Sequence, residues 1–104
     1  MHSCEVVYSP LALQDLDDIW DYIAVEKDNP AAADRIVGGI LARIDLLSSF
    51  PESGTPLSSI YPLRSDYRFV VCDNHLAFYR FHQKVYIDRV LHRKRDYLQV
   101  LLAE

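Results

Sequence analysis

The sequence has little of what nucleotide-dependent enzymes and metalloproteins need. Only three glycines occur among its 104 residues, and neither a Walker motif nor a GxGxxG fingerprint is present, so no phosphate-cradling loop is expected. The two cysteines and four histidines lack the spacing of metal ligands, and the serines lack the GxSxG context of a hydrolase nucleophile. We therefore expect no metal and no cofactor.

Long hydrophobic runs are also missing. A membrane-spanning helix needs about 20 consecutive apolar residues, and the chain contains no such run. Its start, MHSCEVVYSP, lacks the basic and apolar regions of an export signal. We expect a cytoplasmic protein without membrane contact, in which Cys4 and Cys72 stay reduced. The length predicts a single domain over residues 1–104 with one hydrophobic core.

Basic residues are scarce in the first part of the chain. Residues 1–62 contain three lysines or arginines against ten acids, whereas residues 63–104 contain eight against five, which gives formal charges of −7 and +3. The segment RVLHRKRDYL, residues 89–98, is especially basic. The pattern predicts a molecule with a cationic end. Ordinary solvated charge on both faces explains the same pattern, and that alternative stays open.

The first half of the chain predicts a strand followed by two helices. Residues 4–9 are rich in β-branched side chains and stop at a proline, as a strand would. Ser9 and the following proline predict the start of a helix that runs to about Val25, and Asn29 with its proline predicts a second helix of about five turns. The short link predicts an antiparallel helical hairpin. We expect close helix packing at Gly38 and Gly39.

The second half predicts an antiparallel meander. Residues 67–72, 75–81 and 85–91 are short and rich in valine, isoleucine and aromatic residues. Residues 50–62 are a turn-rich connector, and RDYLQVLL suits a short closing helix or a final strand. The whole predicts an α+β fold: an N-terminal strand, a helical hairpin packed on a three-to-four-stranded antiparallel sheet, and a short C-terminal helix.

Three arginines lie on the three predicted strands of the meander. If the strands pair in order, Arg68, Arg80 and Arg89 can converge on a side of the sheet that the helices leave open. Guanidinium groups match phosphate oxygens, so an RNA phosphodiester is a natural ligand, with His92 or Tyr97 moving protons during cleavage.

Simpler interpretations of the same side chains remain open. Each arginine can be an ordinary exposed residue of the sheet or a partner of Asp66 or Asp88. His92 can be a surface histidine without a role. Tyr97 can be a packed aromatic ring that closes the last helix, and this interpretation is slightly favoured.

Several motifs together resemble a known family. They are D-L-x-x-I-W-x-Y-I in the first helix, F-P-E-x-G-x-P in the connector, Y-R at the second strand, F-Y-R in the third, and R-V-L-H near the end. In this order they resemble the RelE/ParE superfamily of toxins from bacterial type II toxin-antitoxin systems. The resemblance covers almost the whole chain, and none of the motifs separates the branches of the superfamily well.

The resemblance implies a small toxin that a partner antitoxin neutralises by laying an extended and helical segment over it. RelE-like members cut messenger RNA on the ribosome without metal, whereas ParE-like members bind and block DNA gyrase. By position, Arg68 matches an arginine at the start of the second strand of the nucleases, Arg89 lies close to their late-strand arginine, and His92 and Tyr97 lie near their C-terminal histidine or tyrosine. Nucleases often also have lysines or an acid in the connector, where only Glu52 occurs here.

Three functional hypotheses follow from the resemblance. We favour slightly a ribosome-dependent mRNA endonuclease, with a gyrase inhibitor that performs no catalysis as the alternative and a non-toxic antitoxin-binding relative as the third. The candidate catalytic residues are Arg68, Arg80, Arg89, His92 and Tyr97. The candidate nucleic-acid or antitoxin-binding residues are Arg64, Arg93, Lys94 and Arg95. We also expect the antitoxin to cover part of residues 89–97.

Overall fold

The computed structural model describes residues 3–62 and 64–102. The elements in chain order are β1 (Val6–Tyr8), α1 (Pro10–Asp21), α2 (Pro30–Asp45), β2 (Thr55–Pro56), β3 (Arg68–Cys72), β4 (His75–His82), β5 (Lys84–His92) and α3 (Tyr97–Leu102). A π-helical turn, Tyr22–Glu26, extends α1, and short 3-10 turns, Leu46–Ser48 and Leu57–Ser59, follow α2 and β2.

The helical hairpin begins where the sequence predicts. Ser9 caps α1, since its Oγ accepts a hydrogen bond of 3.0 Å from the backbone N–H of Ala12. Asn29 caps α2 in the same way, with its Oδ1 3.1 Å from the Ala32 nitrogen. Both predicted helix starts are therefore confirmed.

The prediction of close helix packing at Gly38 and Gly39 is wrong. A Cβ atom added at either glycine would meet nothing within 4 Å, so neither position lies in a tight contact between α1 and α2. Two glycines inside a helix cost about 2 kcal/mol relative to alanine.

The sheet has five strands in the order β1-β5-β4-β3-β2. β3, β4 and β5 form the predicted antiparallel meander, and tight turns at Asp73 and Gln83, with φ angles of 58° and 65°, connect them. The predicted antiparallel sheet of three to four strands is confirmed by β2 to β5, and β1 adds a fifth strand at the edge. The two-residue β2 lies inside the connector and pairs with β3, and β1 pairs with β5 in parallel.

Apolar side chains cover both faces of the sheet. The helix-side core is formed by residues of α1, α2, the 3-10 turn after α2 and the inner sheet face, namely Ala12, Leu16, Ile40, Ile44, Leu47, Val70, Ala77, Tyr79, Val85, Ile87 and Val90. A smaller core on the opposite face contains Leu57, Leu76, Phe78, Leu91 and Leu101. The second face is therefore covered by α3 and part of the connector, whereas the sequence analysis assumed that the helices leave one face open.

Two further sequence expectations concern membranes and cysteines. None of the helices formed by residues 3–62 and 64–102 is long and apolar enough to cross a membrane. Cys4 and Cys72 are both half-buried free thiols, and burial raises the pKa of Cys72.

Candidate functional site

Three consecutive basic residues form a tight turn after β5, which we call the basic turn (Arg93–Arg95). Its backbone is fixed, because the N–H of Arg93 donates to the carbonyl of Asn74 at 2.9 Å and the N–H of Arg95 donates to the carbonyl of His92 at 2.9 Å. The Lys94 N–H donates to Nδ1 of His92 at 3.1 Å. All three side chains are exposed, and none forms an ion pair with another residue that the structure describes. The turn therefore presents three cations on a defined backbone.

Arg89, one of the candidate catalytic arginines, forms an ion pair with an internal carboxylate. Its Nε and Nη2 atoms each lie 2.8 Å from an oxygen of Asp15 in α1, and the Val90 N–H donates to the same carboxylate at 2.9 Å. The hydrogen bond from Asp15 also raises the pKa of Arg89. Because both side chains are largely buried, this guanidinium group links α1 to β5 and does not face an open phosphate site.

Arg80 also has an internal partner. Its Nη2 lies 3.0 Å from a carboxylate oxygen of Asp88, and its guanidinium carbon lies 5.2 Å from the ring centroid of Tyr67. Burial, followed by the hydrogen bond with Asp88, raises the pKa of Tyr67 to about 12. Asp88 was one of the two aspartates predicted as possible partners of a sheet arginine. The ion pair confirms this interpretation for Arg80.

Arg68 holds the connector against the sheet. Its Nη1 donates to the backbone carbonyls of Glu52, at 3.1 Å, and Gly54, at 2.9 Å. Beside it, the hydroxyl of Tyr79 donates to the Pro51 carbonyl at 2.8 Å and accepts from the Gly54 N–H at 2.9 Å. Arg68 also lines a polar groove of about 310 Å³, together with Glu52 and Asp66. The carboxylate of Asp66 lies 2.7 Å from Nε2 of His82.

The predicted convergence of the three arginines is wrong. Paired residues on neighbouring strands point to the same side of a sheet, and Arg68 pairs with Tyr79 of the helix-side core. Arg80 is the next residue after Tyr79, so it points to the opposite side. Arg89 lines a different groove, formed by residues of α1, β5 and α3. The three cations therefore do not form one phosphate pocket.

His92 lies at the end of β5 beside a second histidine. Its ring meets that of His75 edge to face, with 5.3 Å between centroids. His75 is only 9% exposed, and its Nδ1 has no hydrogen-bond partner among the described residues. Burial, and then the charge of His92, lower the pKa of His75. Both rings line an apolar groove of about 440 Å³ next to α1 and α2.

Tyr97 lies on the other side of the sheet, in the smaller core. Its hydroxyl is 2.7 Å from that of Tyr61, and its ring centroid is 5.1 Å from that of Phe78. The hydrogen bond with Tyr61 raises the pKa of Tyr97 to about 12, so the phenol is neutral at physiological pH and a poor base. This geometry agrees with the packed-aromatic interpretation and separates Tyr97 from His92.

The remaining candidates form no compact reaction centre. Arg64 is exposed in the segment before β3, and its side chain makes no ion pair with another described residue. Over residues 3–62 and 64–102, no group of three or more histidine, cysteine, aspartate or glutamate residues could hold a metal ion.

Comparison with protein families gives a direct match. Residues 6–97 match the family described as ParE toxin of type II toxin-antitoxin system, parDE. The chain belongs to the ParE toxin family. A putative toxin, Y4kP of Sinorhizobium fredii, is 37% identical over 91 residues, which cover 86% of this chain and 88% of the relative. Toxin ParE1 of Caulobacter vibrioides is 37% identical over 85 residues, covering 82% and 84%.

The fold of this ParE family member also matches a solved structure. The chromosomal ParDE toxin-antitoxin system from P. aeruginosa contains a chain that superimposes with a TM-score of 0.69. The match covers 88% of this chain and 98% of the other, at 22% sequence identity. At that identity the likeness shows the fold alone, and it confirms the predicted α+β architecture.

Asp15 is the residue of this ParE family member that the sequence analysis missed. It lies on α1 between the buried positions Ala12 and Leu16, within the arc of apolar residues. A carboxylate at a core position needs a buried cationic partner. That signal indicated a paired arginine, although it did not identify Arg89 as the partner.

Proposed function

We propose that this protein is the toxin of a type II toxin-antitoxin pair and that it inhibits growth by binding DNA gyrase, without cleaving RNA. The family membership supports the toxin assignment. Arg68, Arg80 and Arg89 each contact a different internal partner. This observation favours inhibition by binding over catalysis. An antitoxin is the expected partner, as the resemblance implies.

Metal-free cleavage of RNA needs a base, an acid and cations around one phosphate group. Here Arg89 is bound by Asp15 and Arg80 by Asp88. The neutral phenol of Tyr97 and the imidazole of His92 lie on opposite faces of the sheet. Inhibition by binding requires only a complementary surface, and the basic turn offers three unpaired cations among the described residues for an acidic surface of the target.

The test measures supercoiling by purified gyrase in the presence of the protein. We expect the protein to inhibit supercoiling at a concentration close to that of gyrase. The triple variant Arg93→Ala, Lys94→Ala and Arg95→Ala should inhibit at least tenfold more weakly. In cell-free translation, messenger RNA should stay intact in the presence of the unaltered protein. The matched control replaces Lys27 and Lys84, two exposed lysines outside the turn, and keeps the inhibition. Normal supercoiling at a large excess of the unaltered protein would refute the proposal.

RNA cleavage remains the second candidate because of one observation. The polar groove beside Arg68 is also lined by the acidic residues Glu52 and Asp66. Cleaved messages during cell-free translation, abolished by Arg68→Ala, would establish this activity. Harmless strong expression without the neighbouring gene would instead indicate a relative that only pairs with its antitoxin.

A further inference from the structure

The apolar groove beside the two histidines has no role in the proposed function. It is formed by α1 with its π-helical turn, by α2, and by the end of the sheet where β4 begins and β5 ends. We call it the histidine groove, and its lining residues are Asp18, Ile19, Tyr22, Ile23, Ile36, Asn74, His75 and His92. Its volume of about 440 Å³ is that of a typical binding cleft. Tyr22, in its wall, has a side chain that is 51% exposed.

The helical wall of the histidine groove is acidic. Asp18 lines the groove, and Asp21 lies three residues further along α1, so the two side chains are neighbours on the helix surface. Both are exposed, and neither forms an ion pair with another residue that the structure describes. One cation lies nearby, since the Lys27 ammonium is 5.4 Å from the ring centroid of Tyr22. With Lys27 counted, this wall keeps a net negative charge.

The sheet wall of the groove continues into the basic turn. His92 lines the groove, and its Nδ1 accepts a hydrogen bond from the Lys94 N–H at 3.1 Å. Asn74 also lines the groove, and its carbonyl accepts from the Arg93 N–H at 2.9 Å. Two residues of the groove therefore hold the backbone that carries the three cations. The groove has unpaired acids on its helical wall and unpaired cations, among the described residues, beside its sheet wall.

An apolar groove between patches of opposite charge is complementary to a second copy of itself. A two-fold rotation about an axis through the groove brings the acids of each copy onto the basic turn of the other, so the favourable contact forms twice. A partner of a single charge sign, such as a nucleic acid, would be attracted by one wall and repelled by the other. The charge pattern therefore favours a second copy of this chain as the occupant.

We propose that two copies of this chain associate through the histidine groove as a two-fold symmetric dimer. Tyr22 of each copy packs over the groove of the other, and Asp18 and Asp21 of each copy face the other's basic turn. The surface is small, so the dimer is weak, with a dissociation constant between about 1 μM and 1 mM. Because the dimer covers the basic turn, self-association competes with the gyrase contact of the proposed function.

Analytical ultracentrifugation of the purified chain tests the dimer without gyrase or an antitoxin. We expect the average mass to rise from the monomer value toward twice that value as the protein concentration increases from about 1 μM to 1 mM. Raising the ionic strength from about 0.1 to 1 M shortens the Debye length from about 10 to 3 Å, so it should weaken the dimer at least threefold. Tyr22→Ala should weaken it at least tenfold, because the ring that packs over the groove is lost.

An exchange of charges identifies the two surfaces that meet. One variant makes the turn acidic with the substitutions Arg93→Glu, Lys94→Glu and Arg95→Glu. A second variant makes the helical wall basic with Asp18→Lys and Asp21→Lys. Each variant alone should stay monomeric, because like charges then face each other across the two-fold axis. Mixed in equal amounts, the two variants should form a heterodimer at least as tight as the unaltered dimer, because both contacts again join opposite charges.

The matched control reverses three exposed cations that do not line the groove, with Arg35→Glu, Arg64→Glu and Lys84→Glu. It should dimerise like the unaltered protein, and circular dichroism checks that every variant is folded. A chain that stays monomeric at about 1 mM would overturn the inference and leave gyrase inhibition to be judged by its own assay. A dimer that Tyr22→Ala and the charge reversals leave unchanged would also overturn it, because the copies would then meet elsewhere. Failure of the mixed variants to associate would refute the two-fold arrangement.

Discussion

The buried ion pair between Asp15 and Arg89 gives the sharpest prediction about stability. Replacing Asp15 with alanine removes two hydrogen bonds to the guanidinium group and one to the Val90 N–H. The arginine side chain, only 18% exposed, is then left without a counter-charge. Breaking a buried ion pair from one side costs about 3 to 5 kcal/mol.

That loss is large compared with the stability of a small domain. Domains of this kind unfold with a free energy of about 5 to 15 kcal/mol. With a urea m-value of about 1.5 kcal/mol/M, a loss of 3 kcal/mol lowers the unfolding midpoint by about 2 M. We expect Asp15→Ala and Arg89→Ala to be similarly destabilised.

The double variant completes the measurement. Because the two residues contact each other, their effects should not add, and the coupling free energy should reach about 1 to 3 kcal/mol. Urea unfolding followed by circular dichroism measures all four proteins. A midpoint for Asp15→Ala within about 0.3 M of the unaltered protein, or strictly additive effects, would refute the structural role of Arg89 and make the arginine available for phosphate binding again.

Two further predictions concern His75 and Gly54. Burial lowers the pKa of His75 below 6.5, so the unfolded state binds more protons and stability falls as the pH decreases from about 6.5 through the folded-state pKa. Urea midpoints between pH 5 and 7.5 should fall less for His75→Phe than for the unaltered protein, and unchanged pH dependence would contradict this cause. A Cβ at Gly54 would lie 2.5 Å from the hydroxyl oxygen of Tyr79, so Gly54→Ala should lower the free energy of unfolding by about 1 to 3 kcal/mol. A Cβ at Gly38 would meet nothing within 4 Å, so Gly38→Ala should raise the free energy of unfolding by up to about 1 kcal/mol through its higher helix propensity. Equal midpoints for the two alanine variants would show that the connector moves away from Tyr79 without cost.

The local elements could be predicted because their signals are local. The apolar period of the two helices, the capping residues Ser9 and Asn29, and the β-branched runs of the meander all act within a few residues of the chain. The order of the antiparallel strands also followed from their short turns. The parallel pairing of Val6 with Val85 left no comparable signal, since nothing near either residue specifies so distant a partner.

The candidate site could be predicted less well for the same reason. The sequence identifies Arg68, Arg80 and Arg89 as cations on successive strands, but the bonding partner of Arg89 lies 74 residues away on another element. The side to which each arginine points depends on register, which one residue of slip reverses. By contrast, the exposure of Arg93 and Arg95 was predictable, because consecutive cations after a strand rarely find enough buried partners.

The parallel pairing of β1 with β5 has a consequence for synthesis of the protein. Val6 of β1 pairs with Val85 of β5, which is made 79 residues later. A nascent chain can form the helical hairpin early, since those contacts are local, but β1 can join the meander only after β5 has been made. Truncated translation products that end before β5 therefore lack the strand that joins β1 to β4, and we expect them to be unfolded.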